Sequence, residues 1–478
     1  MKFVTSAQGS DPTLGASSHL EDDLASFARH CVKGRCDVLL NTSYQSMSPL
    51  GRTYGCLYQG RVFTTGVAYC SRGLKHAGCG VCKSPPHRKD HFHYLMLAYN
   101  NLFRPRFDMC FAFNCQDSPV LFDRGRASGR LGGAYTGSPV SVEVPFPDYT
   151  IWQRYPEWLL QLQANPPLPW NRKLDRVVLV GGQLGASAVR RRVLGGSCDE
   201  ALGRVGFIDV VGVADSDSSN SSGRSGGLRR IKRLPRLALC NYRVIVLIAG
   251  HSRWLDHMKY TMLCKSLVVL LMGQAVPRSH EQLPSQALDS AYSLLGRMMK
   301  SGATHLEVRV NESSLDMCSH VVDVLTAARR DEAKAHAMAK QGEALVRAAY
   351  SLRAIYHYLH VLFQRVAAIQ AAGHANISAF IMEHGGVEIT FENYDRVTKR
   401  ENDARVLCWQ RRPLMGNYTG WLGKQGAPLG LAVHQELVRS SPPSALQAAA
   451  AVFERITSLE GTHEPATSST PCELMVHS

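Results

Sequence analysis

The segment from residue 237 to residue 273 constrains the fold of this chain more than any other stretch. Residues 244–248 form a continuous apolar, β-branched run, which is typical of a strand buried on both faces. A small turn at residues 249–252 ends that run, apolar residues then recur at helical spacing, and a second apolar run follows at residues 266–271. This order predicts a parallel strand–helix–strand crossover, whose first loop is a natural site for an anion.

A second segment has the same kind of order nearer the middle of the chain. Residues 177–180 read as a buried strand, and the turn that follows contains Gly181 and Gly182. The next residues predict a helix that carries Arg190 and Arg191. A strand, a glycine turn and a basic helix together suit a diphosphate, whereas the glycines alone indicate only a tight turn.

A third segment, in the first half of the chain, places a carboxylate after a predicted strand. Residues 107–114 alternate and are followed by Asp117, Ser118 and Pro119. The proline keeps the residue before it out of the helical region, which leaves Asp117 near the carboxyl edge of that strand. A carboxylate that acts as a base and an aspartate that caps a turn are both compatible with this spacing.

The composition allows several domains and does not by itself identify a partner. The chain has 478 residues, of which 45% are apolar, so a sizeable core is possible and wholesale disorder is excluded. Its net charge of +15 suits phosphate-bearing ligands, nucleic acid or acidic membrane surfaces, and is equally compatible with general solubility. The basic run at residues 229–233 has no aromatic platform beside it, so no specific nucleic-acid partner is predicted.

The cysteines and the apolar runs bear on the compartment. Among 14 cysteines, Cys79 and Cys82 form a close pair, for which disulfides or free thiols are favoured over a zinc or redox site. The first residues lack an apolar signal region, and no uninterrupted apolar run approaches the 18 residues or so of a membrane span. The residues alone therefore predict no membrane span and leave the compartment unknown.

The central segment resembles the donor site of the protein O-glucosyltransferase and fungal capsule xylosyltransferase family, glycosyltransferase family 90, at GHSRWLDHMKY and CKSLVVL. The matching positions are Tyr242, Arg243, Gly250, His251, Ser252, Lys259 and Ser266. Asp117 and Pro119 match the Asp-x-Pro loop of the family's first half, and His305 matches a later motif. The resemblance covers roughly residues 105–370 and depends on the order of the segments more than on any one motif.

This resemblance implies an α/β fold of the GT-B-like type. Two Rossmann-like domains would face each other across a cleft, with a C-terminal helical segment crossing back. We therefore predict a loose leader at residues 1–30, an acceptor-side domain at 31–165, a nucleotide-sugar-binding domain with closing helices at 166–370, and a poorly structured extension at 371–478.

The resemblance also implies an activity. It is that of a glycosyltransferase that moves a sugar of the glucose or xylose class from a UDP-sugar to a hydroxyl on a protein or glycan, inverting the anomeric centre with Asp117 as base. The implied donor-binding residues are Gly181, Gly182, Arg190, Arg191, Gly250, His251, Ser252, Lys259 and Ser266. No cofactor or obligatory metal is expected, and the family would work in the lumen of the secretory pathway.

Two other functions stay open at this point. The family's usual Trp-Arg-Gly-x-x-Thr segment corresponds here to residues 179–184, which lack its Arg and its Thr. A catalytically impaired nucleotide- or glycan-binding member of the same fold is therefore one alternative. A basic protein that binds nucleic acid through charge alone is the other, and its binding would disappear as salt increases.

Overall fold

The computed structural model describes residues 20–31, 36, 52–64, 87–114, 131–135, 143–148, 155–180, 188–211, 229–231, 234–249, 257–274, 294–311, 314, 316–350, 352–384 and 386–390. The chain divides into two compact units. The first comprises Met1–Glu157 and Tyr350–Ser478, and the second is Trp158–Ala349. Within the described residues each unit contains a six-stranded sheet.

The elements of the first part of the chain are α1 (Leu20–His30), β1 (Arg52–Tyr58), β2 (Arg61–Thr64), α2 (His87–Phe103), β3 (Met109–Asn114), β4 (Gly132–Ala134), β5 (Glu143–Pro145) and α3 (Tyr155–Ala164). The second unit continues with β6 (Leu174–Val180), α4 (Ala188–Leu194), α5 (Asp199–Arg204), β7 (Ile208–Val211), β8 (Arg229–Ile231), β9 (Tyr242–Ile248), α6 (His257–Met262), β10 (Leu267–Gln274), α7 (Leu294–Met298), β11 (Leu306–Asn311), α8 (Met317–Arg330) and α9 (Glu332–Ala349). The chain then forms α10 (Leu352–Ala372), α11 (Ile377–Glu383) and β12 (Val387–Ile389).

The sheet of the second unit is parallel throughout and has the order β11-β10-β9-β6-β7-β8. Numbered within the unit, this is 3-2-1-4-5-6, the strand order of the doubly wound dinucleotide-binding fold. The direction of the strand order reverses between β6 and β9, which lie side by side. The predicted crossover at residues 237–273 is confirmed as β9, α6 and β10, with β9 and β10 paired in parallel.

The apolar runs of β9 and β10 are continuous because both faces of this sheet are covered. Val244, Val246 and Ile248 belong to one buried cluster with residues from β6, β7 and β10. Val321 from α8 and Met338 from α9 complete the cluster on that face. When helices cover both faces of a parallel sheet, neither face is exposed to solvent. Its strands therefore lack the alternation of apolar and polar residues that marks half-exposed strands.

The sheet of the first unit is mixed and has the order β12-β2-β1-β3-β4-β5. Only β3, β4 and β5 pair in parallel, while β1 pairs antiparallel with both β2 and β3. The prediction of a Rossmann-like sheet in this half is therefore wrong for β1, β2 and β12. The reason is the two-residue connection Gln59–Gly60, with φ of 49° and 71°, because a turn this short produces an antiparallel hairpin.

The segment after residue 349 adds a helix layer and an edge strand to the first unit. The Gln370 side chain on α10 exchanges two hydrogen bonds with the backbone of Cys110 on β3, at 2.8 and 3.0 Å. Strand β12 then pairs with β2. The predicted limit of the second domain at residue 370 is thus corrected, because α10 packs on the first unit's sheet.

The predicted poorly structured extension from residue 371 is wrong for α11 and β12. The Asn376 side chain caps α11 by accepting a hydrogen bond from the Ala379 N–H at 2.9 Å. Ile377, Phe380 and Ile381 then bury their side chains in a cluster with Tyr54 of β1. Three apolar side chains on one helical face supply the burial that keeps this short helix in place.

Four disulfides lie within the described part of the chain: Cys31–Cys36, Cys56–Cys110, Cys198–Cys318 and Cys240–Cys264. The first two belong to the first unit and the other two to the second. The last joins Cys240, two residues before β9, to Cys264 in the turn after α6, so it closes the base of the crossover. The sequence left disulfides and free thiols as alternatives, and these eight cysteines form disulfides.

Candidate functional site

Two predicted loops begin at the point where the strand order of the second unit reverses. β6 ends at Val180 and β9 ends at Ile248, and Val180 is level with Leu247 in the parallel pairing. The carboxyl ends of β6 and β9 therefore lie at one edge of the sheet. Residues 181 and 250 follow these ends by one and two positions.

Six predicted site residues lie outside the described residues. They are Asp117, Gly181, Gly182, Gly250, His251 and Ser252. The Cys79–Cys82 pair lies outside them as well. Their predicted roles therefore remain predictions, and the geometry of the site is carried by the elements around them.

Arg190 lies at the reversal point. It projects from α4, and its Nε donates a hydrogen bond of 2.8 Å to the carbonyl oxygen of Ile248, the last residue of β9. Burial lowers the pKa of its guanidinium, but an arginine keeps its charge in proteins. The side chain thus brings a half-buried positive charge to the edge from which both predicted loops depart.

Arg191 and Arg192 differ from Arg190 in exposure or partner, although the sequence predicted Arg190 and Arg191 together. Arg191 is exposed, and Arg192 donates a hydrogen bond of 2.9 Å from Nη1 to the carbonyl oxygen of Ser314. Neighbouring residues on a helix are about 100° apart, so Arg190 and Arg191 leave α4 in different directions. The structure therefore separates the two arginines that the sequence grouped.

Lys259 is buried in α6, with 2% of its surface exposed. Its Nζ lies 4.9 Å from the centre of the Tyr260 ring, and the Arg236 guanidinium lies 4.6 Å from the same ring. The Tyr260 carbonyl oxygen accepts a hydrogen bond from the Trp158 indole at 3.1 Å. The Arg236 contact with the Tyr260 ring and the Trp158 hydrogen bond join α6 to residues outside it, and no sequence pattern predicted Arg236 or Trp158 in this role.

Ser266 lies at the opposite edge of the sheet from the predicted loops. It directly precedes β10, and its hydroxyl donates a hydrogen bond of 2.7 Å to the carbonyl oxygen of Tyr242, the first residue of β9. Ligands of open parallel sheets bind outside the carboxyl ends of the strands, not at their amino ends. We therefore withdraw Ser266 from the donor-binding set, since its hydroxyl joins two strands.

Lys173 stabilises this amino edge from within. Its Nζ donates hydrogen bonds to the carbonyl oxygens of Cys240 and Cys264 and to the Ser266 hydroxyl. Burial first, and the charge of Lys265 second, lower the pKa of this ammonium to about 8. Lys173 and the Cys240–Cys264 disulfide thus stabilise the base of the crossover. No sequence pattern predicted this role for Lys173.

In the first unit a buried polar pair marks the end of β3. The Asn114 Nδ2 donates a hydrogen bond of 2.9 Å to Oε1 of Glu143 on β5, and both side chains are buried. Strand β4 lies between them and consists of Gly132, Gly133 and Ala134, whose small side chains leave room for the contact. A Cβ at Gly133 would come within 2.4 Å of the Phe111 ring, which explains the glycine.

This pair is the nearest described feature to Asp117 along the chain, which follows Asn114 by three residues. The sequence reasoning missed Glu143. The sequence feature that could have identified Glu143 is its position as the one carboxylate within the apolar run at residues 142–146. A buried carboxylate that holds the end of a strand can set where the next loop begins.

The described residues contain no group of three or more His, Cys, Asp or Glu side chains that could hold a metal ion. Within the same residues, none of the helices has the length and apolar character needed to cross a membrane.

Comparisons with known proteins add little to these observations. No family model matches the chain, and no curated protein sequence matches it. A search of solved structures finds similarity to sucrose-phosphate synthase from Thermosynechococcus elongatus, at 16% identity and a TM-score of 0.28. The similarity covers 48% of this chain and 55% of that one, so it spans about half of the synthase. At this identity and score it does not establish a shared activity.

Proposed function

We propose that this protein is a UDP-sugar-dependent glycosyltransferase that moves a sugar of the glucose or xylose class to a hydroxyl on a protein or glycan. One observation carries the proposal. The two segments read as donor-binding follow β6 and β9, the two neighbouring strands at which the order 3-2-1-4-5-6 reverses. In such sheets the nucleotide crevice opens at this point.

The donor's diphosphate would lie against the loops that begin at residues 181 and 250. Glycines at Gly181, Gly182 and Gly250 let backbone N–H groups approach the phosphate oxygens closely. Arg190 would add a fixed positive charge, as its Nε is already held by the end of β9. These groups favour the charge that develops on UDP as it leaves, and no metal ion is required for that.

The acceptor side of the proposal belongs to the first unit. Asp117 would take the proton of the acceptor hydroxyl while the hydroxyl oxygen attacks the anomeric carbon. The bond between that carbon and the phosphate oxygen breaks in the same step, so UDP leaves and the anomeric centre inverts. The GT-B-like type of fold is part of this proposal.

The disulfides support the compartment that the family resemblance implied. Stable disulfides form in oxidising environments and are rare where thiols are kept reduced. The four disulfides among the described residues suit a protein that folds in the secretory lumen. We therefore include a location in the lumen of the secretory pathway in the proposed function.

The direct test is incubation of the full chain with a panel of UDP-sugars, with and without a chelator, while UDP release is measured. We expect UDP-glucose or UDP-xylose to turn over faster than UDP-galactose or UDP-N-acetylglucosamine, and the chelator to leave the rate unchanged. Binding of UDP with no turnover of any donor would favour the non-catalytic alternative. Absence of UDP binding would overturn the proposal.

Arg190→Met is expected to weaken UDP binding about tenfold, because it removes the half-buried charge at the reversal point. The matched control is Arg191→Met, one residue along the same helix, whose exposed side chain should change the affinity by less than about twofold. Isothermal titration with UDP measures both. Equal effects of the two substitutions would remove Arg190 from the donor site.

A further inference from the structure

A cavity lies at the amino ends of the strands in the second unit, away from the proposed donor site. Its volume is about 390 Å3, and it is lined by Pro169, Trp170, Asn171, Lys265, His336, Ala339, Lys340 and Glu343. Residues 169–171 come just before β6, and Lys265 comes just before β10. Because β6 has seven residues, the length of a strand, roughly 20 Å, separates this edge from the carboxyl ends.

One wall of the cavity is aromatic and rigid. The Trp170 ring stacks on the His336 ring with centroids 5.0 Å apart and an angle of 22° between the planes. The Trp170 indole donates a hydrogen bond of 2.9 Å to Oε1 of Glu332, which fixes the ring. Trp170 has 9% of its surface exposed and Ala339 is buried, whereas Pro169 is exposed, so a ligand with a C–H face would meet Pro169 and the exposed edge of Trp170.

Two lysines, Lys265 and Lys340, are also among the residues that line the cavity. Lys340 is exposed on α9, and the Lys265 side chain is about half exposed, at 49%. Among the lining residues Glu343 is the one carboxylate, and it already pairs with Lys265 at 3.8 Å and with Arg347 at 2.9 Å. A second carboxylate close by, that of Glu332, is shared between Trp170 and Arg243, with the Arg243 contact at 3.2 Å.

Neutral polar groups complete the lining. Asn171 is exposed and offers an amide. Burial, together with the charge of Lys340, lowers the pKa of His336, so its imidazole is neutral near pH 7 and can donate and accept hydrogen bonds. The cavity therefore combines an apolar edge at Pro169 and Trp170, neutral hydrogen-bonding groups and two lysines.

We propose that this cavity binds a saccharide unit that carries an anionic group. The C–H face of a pyranose would lie along Pro169 and the exposed edge of Trp170, its hydroxyls would meet Asn171 and His336, and its phosphate, sulfate or carboxylate would meet Lys265 and Lys340. The cavity falls in the size range of small-molecule sites, about 300–1,000 Å3. The site does not depend on the proposed transferase activity, since it lies at the other edge of the sheet.

The probe is glucose 6-phosphate, titrated into the full chain by isothermal calorimetry. Lys340→Glu should weaken its binding about tenfold, because an attractive charge becomes a repulsive one close to the anionic group. The matched control is Lys334→Glu, an exposed lysine of the same helix that does not line the cavity, and it should change the affinity by less than about twofold. Both lysines are exposed, so neither substitution threatens the fold.

Three further titrations complete the test. Glucose and inorganic phosphate, used separately, should each bind more weakly than glucose 6-phosphate, and saturating UDP should leave its binding unchanged. No binding of the probe up to about 10 mM, or equal losses in both charge variants, would overturn the proposal. Equal affinity for free phosphate would show a simple anion site, and competition by UDP would place the probe in the donor site, and either result also overturns it.

Discussion

Asp117→Asn is expected to lower kcat for sugar transfer about 1,000-fold, while the affinity for UDP stays within about twofold of the wild type. The substitution keeps the shape of the side chain but removes its ability to accept the hydroxyl proton. It leaves the second unit, where the nucleotide would bind, untouched. Steady-state kinetics with the preferred donor and calorimetry with UDP measure the two quantities.

A matched control for this substitution is Asp108→Asn. Asp108 is an exposed carboxylate that precedes β3, at the other end of the strand, where Oδ1 accepts a hydrogen bond of 2.7 Å from the Gln59 N–H. Its substitution should leave kcat nearly unchanged. An Asp117→Asn enzyme that retains wild-type kcat would exclude Asp117 as the base, although UDP binding and turnover would still support the transferase assignment.

Removing the Cys198–Cys318 disulfide by a double substitution to alanine should lower the free energy of unfolding by about 4 kcal/mol. The bond connects residues 120 apart in sequence, at the start of α5 and near the start of α8. Without it the unfolded chain gains the freedom of a long loop, and this gain in entropy favours unfolding. Urea denaturation followed by tryptophan fluorescence measures the change.

The Cys240–Cys264 bond is the natural comparison, because it lies in the same unit and closes a loop of only 24 residues. Its double substitution to alanine should cost less, about 3 kcal/mol, because the loop is shorter. Reduction of the wild type should weaken stability by more than either substitution. Unfolding midpoints unchanged from the wild type in both variants would show that these bonds do not contribute to stability.

Local patterns in the sequence predicted the central crossover because burial on both faces leaves a signal in consecutive residues. The apolar runs of β9 and β10 and the turn between strand and helix are such signals, and all three lie within 40 residues or so of chain. The hairpin of β1 and β2 escaped notice because its two-residue turn contains Gln59 and Gly60, without the Asn-Gly or Asp-Gly pair that marks such turns.

The candidate site was less accessible to sequence reasoning, since side-chain direction and strand direction are not visible in a motif. Ser266 belongs to a matching motif, yet the parallel pairing of β9 and β10 puts it at the amino edge. Arg190 and Arg191 look equivalent in sequence, but Arg190 is half-buried and bonds to Ile248, whereas Arg191 is exposed. The Asn114–Glu143 pair joins residues 29 apart on strands that are not neighbours.

The sequence by itself determined that this chain builds a buried parallel strand–helix–strand unit, because the hydrophobic effect acts on local periodicity. The tertiary structure alone decided the strand order 3-2-1-4-5-6, the return of α10, α11 and β12 to the first unit, and the roles of Lys173, Arg190 and Ser266. Those features depend on contacts between residues far apart in the chain, where sequence periodicity carries no information about direction, pairing or distance.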